Sequence, residues 1–382
     1  MARSKGQGSI YLCKDGIYQG RIKKNGITRY VYNKDKKIVE SELHRLSLLS
    51  MSDFEHKEVN IKFQNYVYNY LYTFKYGHIK DSSFDRIDSI YRKHIVDSSI
   101  GVITLNELND INVQMYINSK CSEDISYSTI KKVFELIRSI LNYAYKKNDI
   151  NIDIGGIIHL PSSDHFKPIK TIDIYTQEEC NKLCDYILNA NSKKDIRFLR
   201  YSPVKIIMLN TGLRAGELLA LKWSDVDFNN RIIHINKTLS LVCDRNNPDS
   251  NNKHHKNVIS KPKTVNSIRD IPLNNNCIVA FNKLMDNYEL FNCVCEFVCC
   301  NLNDEFIRLR SMEIKLEKIC NKINIEYKGI HALRHTFASN LIKCGVSPKV
   351  VSDLLGHANV VFTMNRYVHV NDDDLTSAVN LL

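Results

Sequence analysis

The sequence predicts a multidomain, mainly α chain: an N-terminal three-stranded β-sheet plus helix, then a helical domain, then a mixed, mostly α domain with a small β-sheet. Three observations predict it. The chain has 382 residues, more than one ordinary domain uses. Residues 8 to 33 alternate apolar and polar side chains, the period of a strand. From about residue 60 onward, apolar residues recur instead at spacings of three and four, the period of a helix, with one strand-rich interlude.

Taken in order, GSIYLCKDGIYQGRIKKNGITRYVYN is broken by Asp15-Gly16 and Asn25-Gly26, pairs that favour tight hairpin turns, and so reads as three antiparallel strands. A helix from about Lys36 to Leu49 can cover one face, leaving a basic face of Tyr18, Arg21, Lys23, Lys24 and Arg29. The helical segment is clearest from Ser126 to Lys147. Ile130, Val133, Phe134, Ile137, Leu141 and Ala144 form one stripe there, while Lys131, Lys132, Arg138, Lys146 and Lys147 lie mainly elsewhere. The stretch from Gly155 to Ile174 carries two glycines, two prolines and several Ser and Lys, and it breaks the pattern as a linker does. A new helix is signalled at Thr176, whose hydroxyl can cap it, with Glu179 three residues on. Arg231 to Asn236 and Val265 to Leu273 read as strands, with 243 to 260 a long exposed loop between them. The expected boundaries are 1–55, 60–160, a linker at 161–175, and 176–382.

Composition narrows the class. Apolar residues are 43 % and charged residues 25 %, as in globular proteins, which excludes disorder and collagen. No apolar run approaches the length of a membrane span, and the polar start MARSKGQGS lacks a secretory core, so the expected place is the cytoplasm, with no membrane partner. Net charge is +11, and residues 1 to 50 hold eleven Lys/Arg against four Asp/Glu. A positive field so concentrated points to a polyanion such as nucleic acid. The twelve cysteines read as reduced thiols. Cys293, Cys295, Cys299 and Cys300 lack the paired C-x2-C knuckles of zinc sites, and VCEFVCC alternates like a buried strand, so no metal site is expected.

Four features of the third segment gain meaning together. Arg214 sits in TGLRAGELLALKW with Glu217 following at helical spacing; Lys263 sits in SKPKTVNSIRDIPL, at or near a hairpin tip. His331 and Arg334 share one helix face in HALRHTF, and His357 in LLGHANVVFTMNRY precedes Tyr367. Breaking a DNA phosphodiester without a metal requires donors for the charge gathering on the non-bridging oxygens, and Arg guanidinium matches two of them. It also requires an acid for the leaving 5′ oxygen, which a desolvated Lys can be, and a nucleophile with a base, commonly His. Arg214, Arg334, Lys263, His331, His357 and Tyr367 are that inventory.

TGLRAGELLAL, IHALRHTFAS, LLGHA and NRY strongly resemble the boxes of the tyrosine recombinases, or phage integrase family, and the layout resembles the integrases of temperate phages and conjugative transposons. The resemblance implies an arm-type DNA-binding domain at 1–55, a SAM-like core-binding domain at 60–160 and a catalytic domain with a C-terminal tail. It implies that Tyr367 attacks the phosphate to give a 3′-phosphotyrosine, that Arg214 and Arg334 clamp it, and that His331 is the base. His357 would donate to a non-bridging oxygen, Lys263 would protonate the leaving oxygen, with Lys261 its competitor, and Glu217 would support the arginine. His335 competes with His331, but family position favours His331 and gives His335 a structural part. No cofactor or metal is implied. The implied partner is double-stranded DNA at attachment sites, bound by a homotetramer in the bacterial cytoplasm and nucleoid, with an excision factor and a host DNA-bending protein left open. DNA contacts fall to Arg21, Lys23, Lys24, Arg29, Lys131 and Lys132. The rival readings are a topoisomerase-like nicking-closing enzyme and a catalytically inactive DNA-binding relative.

Overall fold

The computed structural model describes residues 8–13, 16–24, 27–48, 60–166, 173–245, 255–262, 264–301, 303 and 305–367. The chain divides into two units, Met1–Ile169 and Lys170–Leu382.

The first unit opens with the expected antiparallel sheet of β1 (Ser9–Leu12), β2 (Tyr18–Lys24) and β3 (Ile27–Asn33), with Arg21 opposite Ser9 on one side and Tyr30 on the other. Helix α1 (Lys36–Leu48) lies across it, and Ile22 meets Val39, Leu43 and Leu46 in a small core. Strand period two then sorts β2 by face. Arg21 and Lys23 point out to solvent beside exposed Tyr30 and Tyr32. Tyr18 packs against the core, and Lys24 Nζ donates at 2.7 Å to the Ser47 carbonyl near the end of α1. The expected single basic face is corrected accordingly, since Tyr18 and Lys24 lie on the helix side. Of Arg29 the structure gives the backbone pairing with Ile22; the Asn25-Gly26 turn lies outside the described residues.

Helices α2 (Phe63–Phe74), α3 (Asp81–His94), α4 (Asp110–Ser119) and α5 (Tyr127–Lys146) share a second core. In α5 the stripe from Ile130 to Ala144 is buried, Ser126 caps the first turn through Thr129 N at 3.3 Å, and Lys131 and Lys132 are exposed. The glycines at 155 and 156 do not begin a linker. They sit in a short helix α6 (Ile154–Ile157) packed on α5, where a Cβ on Gly155 would stand 2.0 Å from Asn142 Oδ1. Ile158 is buried with the bundle, and Leu160 and Phe166 pack against it.

In the second unit Thr176 caps α7 (Gln177–Leu188) as its spacing predicts: Glu179 N donates to Thr176 Oγ1 at 3.2 Å, and Thr176 N donates to Glu179 Oε2 at 2.7 Å. Helices α8 (Lys193–Leu199), α9 (Val204–Thr211) and α10 (Ala215–Leu219) follow. A three-stranded sheet in the order β4 (Val226–Asp227), β5 (Ile232–Ile235), β8 (Arg269–Pro272) stands beside a two-stranded ribbon of β6 (Thr238–Cys243) and β7 (His255–Ser260). Helices α11 (Asn275–Leu290), α12 (Leu309–Lys322), α13 (Ile330–Lys343), α14 (Pro348–Leu355) and α15 (Val360–Tyr367) complete it.

Three expectations are corrected here. Part of the loop expected over 243–260 is strand β7, whose largely exposed HKNVIS carries no burial pattern to announce it. The strand expected from Val265 begins at Arg269, because Val265–Ser267 forms a turn in which Ser267 N donates to the Thr264 carbonyl and the two hydroxyls bond each other. VCEFVCC is irregular chain with isolated bridges at Phe297 and Cys300.

Candidate active site

Four stretches of the second unit, drawn from Gly212 to Tyr367 along the chain, meet at the C-terminal end of α14. Gly212, in the left-handed conformation at φ +65°, ends α9 and turns the chain so that Arg214 stands at the head of α10. A Cβ at Gly212 would lie 2.5 Å from the Phe337 ring, so glycine is required on both counts. Ser347 caps α14 with Pro348 in its first turn, and Gly356, at φ +65°, ends it and sends His357 back over the site.

The last carbonyls of a helix have no partner within it and carry its negative end. Here three guanidiniums take three of them in succession. Arg269 Nε donates to the Leu354 carbonyl at 2.6 Å, Arg334 Nη2 to Leu355 at 2.8 Å and Arg214 Nη2 to Gly356 at 3.0 Å. Arg334 Nη1 also donates to the Gly212 carbonyl at 2.6 Å. Arg214 and Arg334 thus converge on neighbouring oxygens, although they come from different helices.

Glu217 is buried at 3 % exposure and holds this positive cluster together. Its Oε1 accepts from Arg214 Nη1 at 2.6 Å and Arg269 Nη1 at 3.2 Å; its Oε2 accepts from Arg214 N and Arg269 Nη2, both at 2.9 Å. Burial alone would raise the Glu217 pKa, but Arg269 and Arg214 outweigh it and hold the carboxyl below its ordinary value. Arg269 was not singled out from the sequence. Its one signal was the alternation of SIRDIPL, which puts Arg269 and Ile271 on the inward side of β8, where an arginine needs a partner.

The imidazoles are arranged unequally. His357 Nε2 lies 2.9 Å from Arg334 Nη2, an obligate donor, so Nε2 accepts and the Nδ1 proton goes to Thr363 Oγ1 at 2.8 Å. Burial and the charges of Arg334, Arg214 and Arg269 push its pKa down to about 4. The expected donor role of His357 therefore requires this Nε2 to be released from Arg334. His331 is exposed at the start of α13, one turn before Arg334; desolvation and the Arg334 charge lower its pKa. The imidazole on the phenol is His335, whose Nδ1 lies 2.6 Å from Tyr367 Oη. Burial first, then Arg366, His331 and Arg334, push His335 to about 4, so it is neutral and shares a hydrogen bond with the phenol. Tyr367 ends α15 with 6 % exposure among Ala338, Val351 and Leu355. Burial raises its pKa against the opposing pull of Arg334, Arg366 and Arg214. The phenol is thus stored protonated beside the cluster.

Lys263 lies outside the described residues, as does the tail from residue 368. Lys261 is exposed just beyond the end of β7. Strand β6 ends at Cys243 and β7 begins at His255, so Lys261 follows the end of β7 remote from that connection.

One pH dependence follows. For His335 and His357 the folded pKa lies below the unfolded value, so between about pH 6.5 and pH 4 the unfolded chain binds more protons. Their contribution is complete above pH 6.5 and lost as pH falls toward 4. Allowing for partial exposure, each contributes roughly 1–2 kcal/mol. Urea midpoints should fall over that range, and the fall should be visibly shallower in His335→Gln; an equal fall would refute the assignment.

The chain is similar to several known proteins. Residues 174–374 match the model of the phage integrase family. A tyrosine recombinase XerC-like protein of Caldanaerobacter subterraneus is 29 % identical over 315 residues, covering 79 % of this chain and 78 % of that protein. The transposase from transposon Tn916 of Enterococcus faecalis is 25 % identical over 312 residues, covering 76 % of this chain and 71 % of its own length. Among solved structures, the Tn1549 transposon integrase in complex with a circular intermediate DNA superposes with a TM-score of 0.68 at 19 % identity, covering 84 % of this chain and 99 % of that one.

Proposed function

The chain belongs to the phage integrase family of tyrosine-type site-specific recombinases, and on that footing we propose how its own residues cut and rejoin DNA for a mobile element. The observation that carries the reading is the convergence of Arg214 and Arg334 on adjacent carbonyls, with a stored phenol one imidazole away. A phosphate entering the cluster offers those guanidiniums a full negative charge in place of carbonyl dipoles. Tyr367 Oη then attacks phosphorus: the O–P bond to tyrosine forms, the bond to the 5′ oxygen breaks, and a 3′-phosphotyrosine remains. The phenolic proton passes to His331, with His335 holding the phenol until DNA arrives. His357, released from Arg334, donates to a non-bridging oxygen, and Lys263 protonates the departing 5′ oxygen. Glu217 keeps Arg214 in place. The phosphotyrosine retains the energy of the broken linkage, so rejoining needs neither nucleotide nor metal.

Two duplexes present four strands and each chain carries one such tyrosine, so exchange of all strands calls for a homotetramer. We assign it to the bacterial cytoplasm, on the nucleoid. Arg21 and Lys23 on the outer face of β2, and Lys131 and Lys132 on α5, are the proposed backbone contacts, in an arm-type domain at 1–55 and a core-binding domain at 60–160. The direct test is incubation with a nicked DNA bearing the element's end: a covalent adduct should form, and its peptide should contain Tyr367. Deleting residues 1–55 should abolish binding to accessory arm sites while adduct formation at core sites persists. Equal arm-site affinity in the truncated chain would overturn the arm assignment. Joining of two labelled duplexes separates recombination from simple nicking and closing.

A further inference from the structure

The cysteines of the irregular segment after α11 take no part in this chemistry, yet they converge. Cys293 Sγ lies 3.4 Å from Cys295 Sγ and 4.0 Å from Cys300 Sγ, and the three sulfurs fall within 4.8 Å of one another. Cys295 and Cys300 are joined as a disulfide. We propose that Cys293, Cys295 and Cys300, once reduced, form a three-thiolate site for a soft divalent metal ion, zinc by its chemistry.

Four observations support it. A tetrahedral zinc with sulfur at about 2.3 Å sets its ligands about 3.8 Å apart, and the two distances from Cys293 bracket that spacing. The backbone is held mainly by groups other than the sulfurs: Tyr288 Oη donates to the Val298 carbonyl at 3.1 Å and accepts from Cys300 N at 3.3 Å, Val298 N donates to Leu221, and Trp223 N donates to Glu296, while Cys293 Sγ donates to the Asn301 carbonyl at 3.4 Å. The ligands are therefore brought together by the fold before any ion arrives. Burial is graded, with Cys300 at 1 % exposure and Cys293 and Cys295 half-buried, which leaves an open side for entry and for a water as fourth ligand. Cys299, by contrast, is fully buried beside Lys205 and packs in the main core. The C-x2-C spacing that the sequence lacks is replaced by C-x-C-x4-C on a folded-back loop.

The balance is simple. A dithiol or phosphine reductant supplies two electrons, and two protons are taken up, to open the Cys295–Cys300 bond. Zinc then binds as the thiols lose their protons to solvent. Bound there, the ion ties the chain leaving α11 to the segment that pairs Lys222 with Phe297 and Cys300 with Phe306.

The experiment uses the full chain, reduced and kept free of oxygen, titrated with cobalt(II). A thiolate-to-cobalt charge-transfer band should grow to saturation at one equivalent and be bleached by one equivalent of zinc. Cys293→Ser should weaken zinc retention at least about a hundredfold, measured by chelator competition, because it removes a direct ligand. Cys344→Ser, at an exposed cysteine on another helix end, should leave retention unchanged. If Cys293→Ser fails to fold, the wild-type stoichiometry and the matching loss in Cys295→Ser decide. Absence of a saturable band in the reduced chain, or a band undiminished in these variants, overturns the proposal and leaves a disulfide alone.

Discussion

Tyr367→Phe should bind DNA with native affinity and form no covalent adduct, with strand cleavage falling at least about ten-thousand-fold because no other group replaces a removed nucleophile. The substitution is conservative in every other respect. The ring stays among Ala338, Val351 and Leu355, and what is lost is the hydrogen bonding of Oη, to His335 Nδ1 and to Arg366. That leaves one half-buried acceptor without its donor, a cost of about 1 kcal/mol that a urea midpoint can read. A surviving adduct on a denaturing gel would refute the tyrosine assignment. The same assay separates the two imidazoles: His331→Ala should slow adduct formation strongly, whereas His335→Ala should release the phenol and affect it less. The opposite order would make His335 the base and overturn the assignment to His331.

Glu217→Ala should be the most destabilising single change in the second unit. It removes the one carboxylate shared by Arg214 and Arg269, leaving Arg269 nearly buried at 7 % side-chain exposure and Arg334 at 5 % in a cluster of uncompensated positive charge. Breaking a buried ion pair from one side typically costs 3–5 kcal/mol, and that is the expected loss by urea unfolding at pH 7. Adduct formation by the folded fraction should fall roughly a hundredfold, because the Arg214 guanidinium loses its carboxylate and keeps only the Gly356 carbonyl to aim it. Glu217→Gln keeps the shape and one carbonyl acceptor, so it should unfold less readily than the alanine variant while still reacting slowly. A stability change within about 1 kcal/mol would show that the two arginines are held by the α14 carbonyls alone.

Much of the site was legible because its signals are short-range. The Thr176 and Glu179 box and the apolar stripe of α5 each depend on residues within a turn or two of one another, and each is found where its spacing puts it. Other parts were not legible, for equally definite reasons. Strand β7 is exposed, so it has no apolar alternation to betray it. Lys24 looks like any basic strand residue until register shows that its face is covered by α1. The glycines at 155 and 156 have the composition of a linker, but Gly155 allows close packing against α5 and Gly156 a close approach to the capping Asp153.

By itself the sequence determined the family motifs, the helix ends that present them and the set of cations, imidazoles and phenol available. Local backbone preference and hydrophobic period operate within one element. Only the tertiary structure decided that Arg269 shares Glu217 with Arg214, that His335 and not His331 touches the stored phenol, and that three cysteines meet on one loop. Those choices depend on which side chains are brought together across tens of residues and then deprived of water. Burial forces a charge or a proton to find a partner, and no spacing along the chain states in advance which partner will be near.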